Sequence, residues 1–216
     1  MNVALPRHAM DELEAKQLLA TYGVPVVREA RALSVDAAAS VAAHIGYPVA
    51  LKALGAQFAH KTELGLVKLN LLDELAVRSA AAQLLGTMQG QGELLVQKMV
   101  NGKRELLVGM SRDEQFGATV TFGLGGIFTE ILADVTLRIA PVNRADALEM
   151  LGEIRAAALL GPVRGLPEVD REPLVRTIMA LSQLALDRPD IDAIDVNPLV
   201  ICGNQPVAVD ALVILK

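Results

Sequence analysis

Cysteine, aromatic residues, excess positive charge and long apolar runs are all scarce in this chain, and each scarcity excludes something. One cysteine (Cys202) among 216 residues permits no internal disulfide and no thiolate metal centre. Its place in an apolar, strand-like run makes it a small buried hydrophobe by expectation. Aromatics are 3% of the chain, with no Trp, too few for the stacking platforms on which oligonucleotide binders rely. Lys and Arg total 20 against 25 Asp and Glu, a formal net charge of −5. No basic block or polybasic tail occurs, which argues against nucleic acid and anionic membrane as partners. A local cationic cluster can still bind a small anion inside an acidic protein. No apolar run approaches the roughly 18 residues of a spanning helix, since Ile194–Cys202 and Val207–Leu215 are interrupted by Asp, Asn or Pro. The charged stretch Met10–Lys16 is unlike the apolar core of a secretory leader. A soluble, cytoplasmic globular protein is the expectation.

What is present is 52% hydrophobic residues, spaced at helical and strand periods. Helices are predicted at 10–22, 35–45, 73–88, 145–160 and 172–186. Strands are predicted at 24–32, 48–54, 65–71, 92–100, 104–111, 117–122, 133–141, 191–201 and 206–215. Ser34 is a candidate N-cap, and Gly23 and Gly46 are candidate helix stops. Asn101-Gly102 has the chemistry of a tight hairpin between the strands that flank it. The order lacks the strict alternation of a doubly wound parallel sheet and fits an α+β protein of two halves, split near Gly90.

Three clusters could carry chemistry. Lys52 ends the short apolar strand Val49-Ala50-Leu51, and the loop after it holds His60-Lys61-Thr62 between Gly55 and Gly65. Adjacent His and Lys supply charge and several donors, which suits a phosphate; an edge lysine beside a polar loop would look the same. The run Phe122-Gly123-Leu124-Gly125-Gly126-Ile127 lets the backbone come close to a ligand and expose its N–H groups. It could equally be a turn, and it matches neither a Walker A nor a dinucleotide fingerprint. Glu130, Asp134 and Arg138 follow at every fourth position. Asp195 and Asn197 share one face of a strand, and the returning strand can bring Asp210 alongside. Such oxygen donors suit Mg²⁺, which takes few protein ligands beside substrate phosphates; a polar hairpin rim is the other reading.

Together, Lys52, the Phe58–Gly65 loop, Leu95-Val96-Gln97-Lys98-Met99, Arg104-Glu105-Leu106, the Phe122–Ile127 run and Asp195-Val196-Asn197-Pro198 resemble the ATP-grasp (β) subunit of nucleoside-diphosphate-forming acyl-CoA synthetases. That group includes ADP-forming acetate–CoA ligase and, more distantly, succinyl-CoA synthetase β. The resemblance runs in order over nearly the whole chain. It implies an ATP-grasp fold in which two α+β subdomains enclose a nucleotide: an N-terminal helix over 1–23, subdomain 1 over 24–90 and subdomain 2 over 91–216. It implies ATP or ADP and Mg²⁺ as cofactors. Lys52 would contact phosphate, the backbone of Val96, Gln97, Lys98 and Met99 would meet adenine, and Glu105, Gly125, Gly126 and Arg138 would lie near the nucleotide. Asn197 and Asp210 fall on Mg²⁺ ligands, His60 on a phosphoryl-accepting histidine, and Asp195 on the group that orients its imidazole.

One departure stands out. The family commonly has Gln-Glu-Met where this chain has Gln97-Lys98-Met99, and a lysine, a donor only, cannot accept a bond from a ribose hydroxyl. An outward turn of the pleat at Lys98 would make the change harmless. The family reaction converts carboxylate, CoA and ATP to acyl-CoA, ADP and phosphate, an acid–thiol ligation through phosphohistidine. CoA and the primary phosphohistidine sit on a separate α part, so the resemblance implies a CoA-binding α subunit or domain and a hetero-oligomer. The same module ends some protein acyltransferases, so a non-catalytic regulatory ATP-grasp module is the alternative.

Overall fold

The computed structural model describes residues 9–55, 58, 61, 64–126 and 132–216. They divide into two units. The first comprises Asp11–Leu13 and Val27–Met99; the second comprises Glu14–Val26 and Val100–Lys216, with Ala9 and Met10. Among the described residues no helix is long and apolar enough to cross a membrane.

In the first unit β1 (Glu29–Ala32), β2 (Val49–Leu54), β3 (Val67–Leu71) and β4 (Glu93–Lys98) form an antiparallel sheet in the order β1-β4-β2-β3. The helix α1 (Glu12–Thr21) contributes Glu12 and Leu13 to this unit. Ser34 caps α2 (Val35–Ile45) by accepting from the Ala37 N–H at 3.1 Å, and Gly46, at φ +86°, closes it. Asp73 caps α3 (Glu74–Thr87) in the same way at 2.8 Å. The pleat then divides the sheet. Val49, Leu51 and Ala53 of β2 and Leu94 and Val96 of β4 join Ala38, Ala42, Val77 and Leu84 of the two helices in one core. The alternate positions, Ala50, Lys52 and Leu54 on β2 and Leu95 and Gln97 on β4, face the other way, where Leu13, Leu54 and Leu95 make a small cluster.

The second unit is built on β5 (Glu105–Asp113), β6 (Gly117–Leu124), β7 (Val135–Ile139), β8 (Ile191–Cys202), β9 (Gln205–Ala208) and β10 (Leu212–Leu215). Its order is β10-β8-β5-β6-β7, with β9 also paired to β8. The rest of α1, α4 (Arg144–Glu153) and α5 (Arg171–Asp187) supply the helices. Leu19, Met110, Phe122, Met150, Leu181 and Val196 are among its core residues, and an Asn143–Asp146 capping box starts α4.

Several boundaries differ from those predicted. Residues 93–98 belong to the first unit, so the division falls after Met99 rather than at Gly90: β4 hydrogen-bonds to β1 on one side and β2 on the other. Asn101-Gly102 is therefore no hairpin, because β4 has no open edge to offer β5. The predicted helix 145–160 stops at Glu153 and resumes as a 3₁₀ turn at Ala157–Leu160. Asp134 takes the Arg155 and Ala156 N–H groups, both at 2.8 Å, which a continuing helix would have used. Only Glu29–Ala32 of the predicted strand 24–32 is strand. Cys202 ends β8 at the turn into β9 and is exposed rather than buried.

Candidate functional site

The first unit concentrates charge on the face of its sheet turned from α2 and α3. Lys52 is a buried residue between Leu51 and Ala53, 5% exposed, and its Nζ donates to Glu12 Oε1 at 2.6 Å. Lys61 Nζ donates to the other oxygen of the same carboxylate. Gln97, opposite Ala50 on β2 and Glu29 on β1, donates its amide to Glu12 Oε1 at 3.4 Å and to Glu29 Oε2 at 2.8 Å. Glu12 is the first residue of α1, where the positive end of the helix dipole favours a carboxylate. Two ammonium groups held side by side in a buried, hydrogen-bonded frame are suited to a polyphosphate.

The neighbouring expectations fare unevenly. Val96 is in the helix-side core, and the backbone of Val96 and Gln97 is enclosed by ladders on both sides. The Lys98 and Met99 N–H groups go to Arg28 and Pro48 carbonyls. The Lys98 ammonium donates to the Gly46 and Tyr47 carbonyls, 2.8 Å each, at the C-terminal end of α2. There a cation is favoured by the helix dipole, so this side chain has a structural partner that a glutamate could not have. His60, with Glu130, lies outside the described residues.

The second cluster is in the second unit. β8 turns Val196 into the core and Asp195 to the exposed side, and Asn197 shares the parity of Asp195. The returning chain is not one strand, as predicted, but two, with Asp210 in the break. The same register holds on either side of the break, Leu199 opposite Ala208 and Asp195 opposite Leu212, which sets Asp210 opposite Asn197. The Val209 N–H donates to the Pro198 carbonyl at 3.1 Å. Lys16, 1% exposed on α1, donates to the Val209 carbonyl at 3.0 Å and so braces the residue before Asp210. Loss of solvation, and then the charge of Asp210, raise the Asp195 pKa above the ordinary carboxylate value, because both disfavour the ionised form. Asn197 Oδ1 accepts from the Gly126 N–H at 2.9 Å and keeps a second lone pair. Among the described residues no group of three or more His, Cys, Asp or Glu is arranged to hold a metal ion. Asn197 and Asp210 thus fit a Mg²⁺ that draws its other ligands from phosphate and water.

The glycines serve the fold first. A Cβ on Gly123 would meet the Asp134 carbonyl, one on Gly125 the backbone of Leu106, and one on Gly126, at φ +64°, the Glu105 carboxylate. The Gly125 N–H goes to the Glu105 carbonyl at 2.9 Å, so both this N–H and that of Gly126 are engaged within the chain instead of exposed, as the sequence suggested. Glu105 shares parity with Gly109, which lies opposite Asp195, so it is on the same sheet face as Asp195. Arg138 is not. It lies opposite Val120, which pairs with Met110 and, through it, with Ile194, a row on the helix-covered face. Its guanidinium binds Glu153 at 2.6 Å and Glu149 at 3.6 Å on α4, and Glu153 is the main cause of its raised pKa.

A family model for an ATP-grasp domain matches residues 3–215. The chain belongs to the ATP-grasp family. This ATP-grasp chain is 40% identical over 210 residues to the β subunit of acetate–CoA ligase [ADP-forming] I of Pyrococcus furiosus, covering 94% of this chain and 90% of the relative. It is 38% identical over 208 residues to acetate–CoA ligase [ADP-forming] I of Archaeoglobus fulgidus, covering 94% of this chain but 30% of that longer one. The matched stretch is thus most of one relative, which is named a β subunit, and a minor part of another. Its fold matches acetyl-coenzyme A synthetase 1 of Ca. Korarchaeum cryptofilum, solved with coenzyme A and Mg-AMPPCP and with its phosphohistidine segment pointing towards the nucleotide-binding site. The TM-score is 0.87 at 35% identity, over 97% of this chain and 94% of that one.

Glu12, Glu29 and Lys16 were invisible to sequence reasoning. Each is an ordinary charge on a short helix or strand, and only the fold brings Glu12 to Lys52, 40 positions away, or Lys16 to Val209, 193 away.

Proposed function

We propose that this chain is the nucleotide-binding ATP-grasp subunit of an ADP-forming acid–thiol ligase. It moves a phosphoryl group between ATP or ADP and a histidine, and a CoA-binding partner chain or domain couples that transfer to acyl-CoA formation in a cytoplasmic hetero-oligomer. The observation that carries the reading is the pairing of Asn197 with Asp210 beside Asp195, within a chain related along nearly its whole length to acetate–CoA ligase β subunits.

Each residue then has a task. Lys52 and Lys61 bind phosphate oxygens and neutralise charge as the phosphoryl group moves, where positioning and electrostatics do most of the catalysis. Glu105 lines the nucleotide side of the sheet. Asn197 and Asp210 would hold Mg²⁺, which would supply positive charge to offset that of the phosphates. Asp195 receives the N–H of an imidazole and aligns the opposite ring nitrogen for attack on phosphorus. His60 is that imidazole: its nitrogen forms the N–P bond as the bond to the ADP oxygen breaks, and the phosphoryl passes on to the partner.

Calorimetric titration with ADP and Mg²⁺ tests the binding half. The wild-type chain should bind, Mg²⁺ should tighten binding, and Asn197→Ala with Asp210→Ala should remove that tightening. Metal dependence that survives both substitutions would contradict the assignment.

A further inference from the structure

We propose that Glu12 is a positioning residue: its carboxylate holds Lys52 and Lys61 side by side and, through Lys61, fixes the chain next to His60. The inference rests on the phosphoryl-transfer reading above and assigns it a residue on a different element.

The geometry is that of a clamp. Each carboxylate oxygen of Glu12 takes one ammonium group. Lys52 is rigid, since β2 is paired on both edges, to β3 and β4. Lys61 comes from outside regular structure and has its own backbone tie, its carbonyl accepting from the Leu66 N–H at 2.8 Å. Two ammonium groups this near repel in a buried setting unless an anion lies between them. Glu12 is 6% exposed, is the first residue of α1, and is braced by Gln97, itself held by Glu29. The carboxylate therefore has one orientation, and the side chain it orients belongs to the covalent neighbour of His60. Displacing a reacting group by an ångström can cost about 100-fold in rate, so a tether at position 61 acts directly on a step at position 60.

The test compares Glu12→Gln, Glu12→Asp, Lys61→Met and the Glu12→Gln/Lys61→Met double variant, each with the CoA-binding partner. Single-turnover transfer from γ-labelled ATP to histidine should fall about tenfold or more in Glu12→Gln and in Lys61→Met. Nucleotide Kd should move less than about threefold in Glu12→Gln, which keeps both lysines. Glu12→Asp should recover part of the rate, and the double variant should be no slower than the singles, as expected for one linked device. Independently of transfer, acetylation by an amine reagent, mapped by peptide mass spectrometry, should be about tenfold or more faster at Lys61 in Glu12→Gln. Wild-type rates in Glu12→Gln, multiplying losses in the double variant, or unchanged Lys61 reactivity would overturn the proposal. Absence of histidine label in the wild type would instead overturn the transfer reading, and the lysine-reactivity arm would still decide the clamp. If Glu12→Gln fails to fold, Lys61→Met supplies the transfer test, and a wild-type rate there overturns the proposal.

Discussion

At the residue scale the two clusters differ in how they hold charge: one sets two ammonium groups on a single carboxylate, the other holds carboxylates near each other. Breaking a buried ion pair leaves a lone charge and costs about 3–5 kcal/mol. Glu12→Ala removes the carboxylate that both lysines share and should show a loss of this order in urea unfolding. Lys52→Met should cost less, because Lys61 and Gln97 still meet the carboxylate. Asp195 makes a pH-dependent prediction. Its folded-state pKa is raised, so the folded chain favours the neutral acid. That contribution is complete below the unfolded value of about 3.9 and is lost as pH rises through the folded one. Asp195→Asn should therefore stabilise the chain at neutral pH and leave it unchanged in strong acid. In carboxyl NMR titrations Asp210→Asn should lower the Asp195 midpoint only part of the way, since lost solvation is the larger cause. A midpoint in the ordinary range for wild-type Asp195 would refute the crowding.

At the element scale the decisive features are the ends and breaks of strands. Gly126 follows β6 at φ +64°, and its N–H holds Asn197. Gly126→Ala combines a strained backbone, worth about 1–3 kcal/mol, with a clash against Glu105. It should lower the melting temperature and weaken Mg²⁺-dependent nucleotide binding together; loss of stability alone would separate the turn from the metal site. Lys98 makes the contrary prediction. Restoring the family's glutamate would set a carboxylate against the carbonyl end of α2, where a cation is worth about 0.3–1 kcal/mol. Lys98→Glu should destabilise the chain without improving nucleotide affinity, and a gain in affinity would show that the side chain faces the ribose.

At the scale of the whole molecule, most helices and strands were legible because their periodicity and caps are local: Ser34 and Gly46 mark ends that the structure keeps. The alternation that places Asp195 and Asn197 together, and the return of Asp210, were legible for the same reason. What could not be read depends on register and long-range pairing. β4 joins the first sheet through Glu29 opposite Gln97, and no local pattern distinguishes that from a hairpin at Asn101-Gly102. Arg138 falls on the far face from Asp195 through a register fixed across four strands. Glu12 becomes a site residue only when the fold of the first unit sets it against Lys52. Whether this chain accepts and passes on a phosphoryl group is decided by incubating it with a CoA-binding partner chain and γ-labelled ATP. Acid-labile, base-stable label should appear on this chain and turn over on adding CoA and carboxylate, and His60→Ala should lose that label and acyl-CoA formation while still binding ADP. Normal acyl-CoA synthesis by the His60→Ala complex would contradict that transfer.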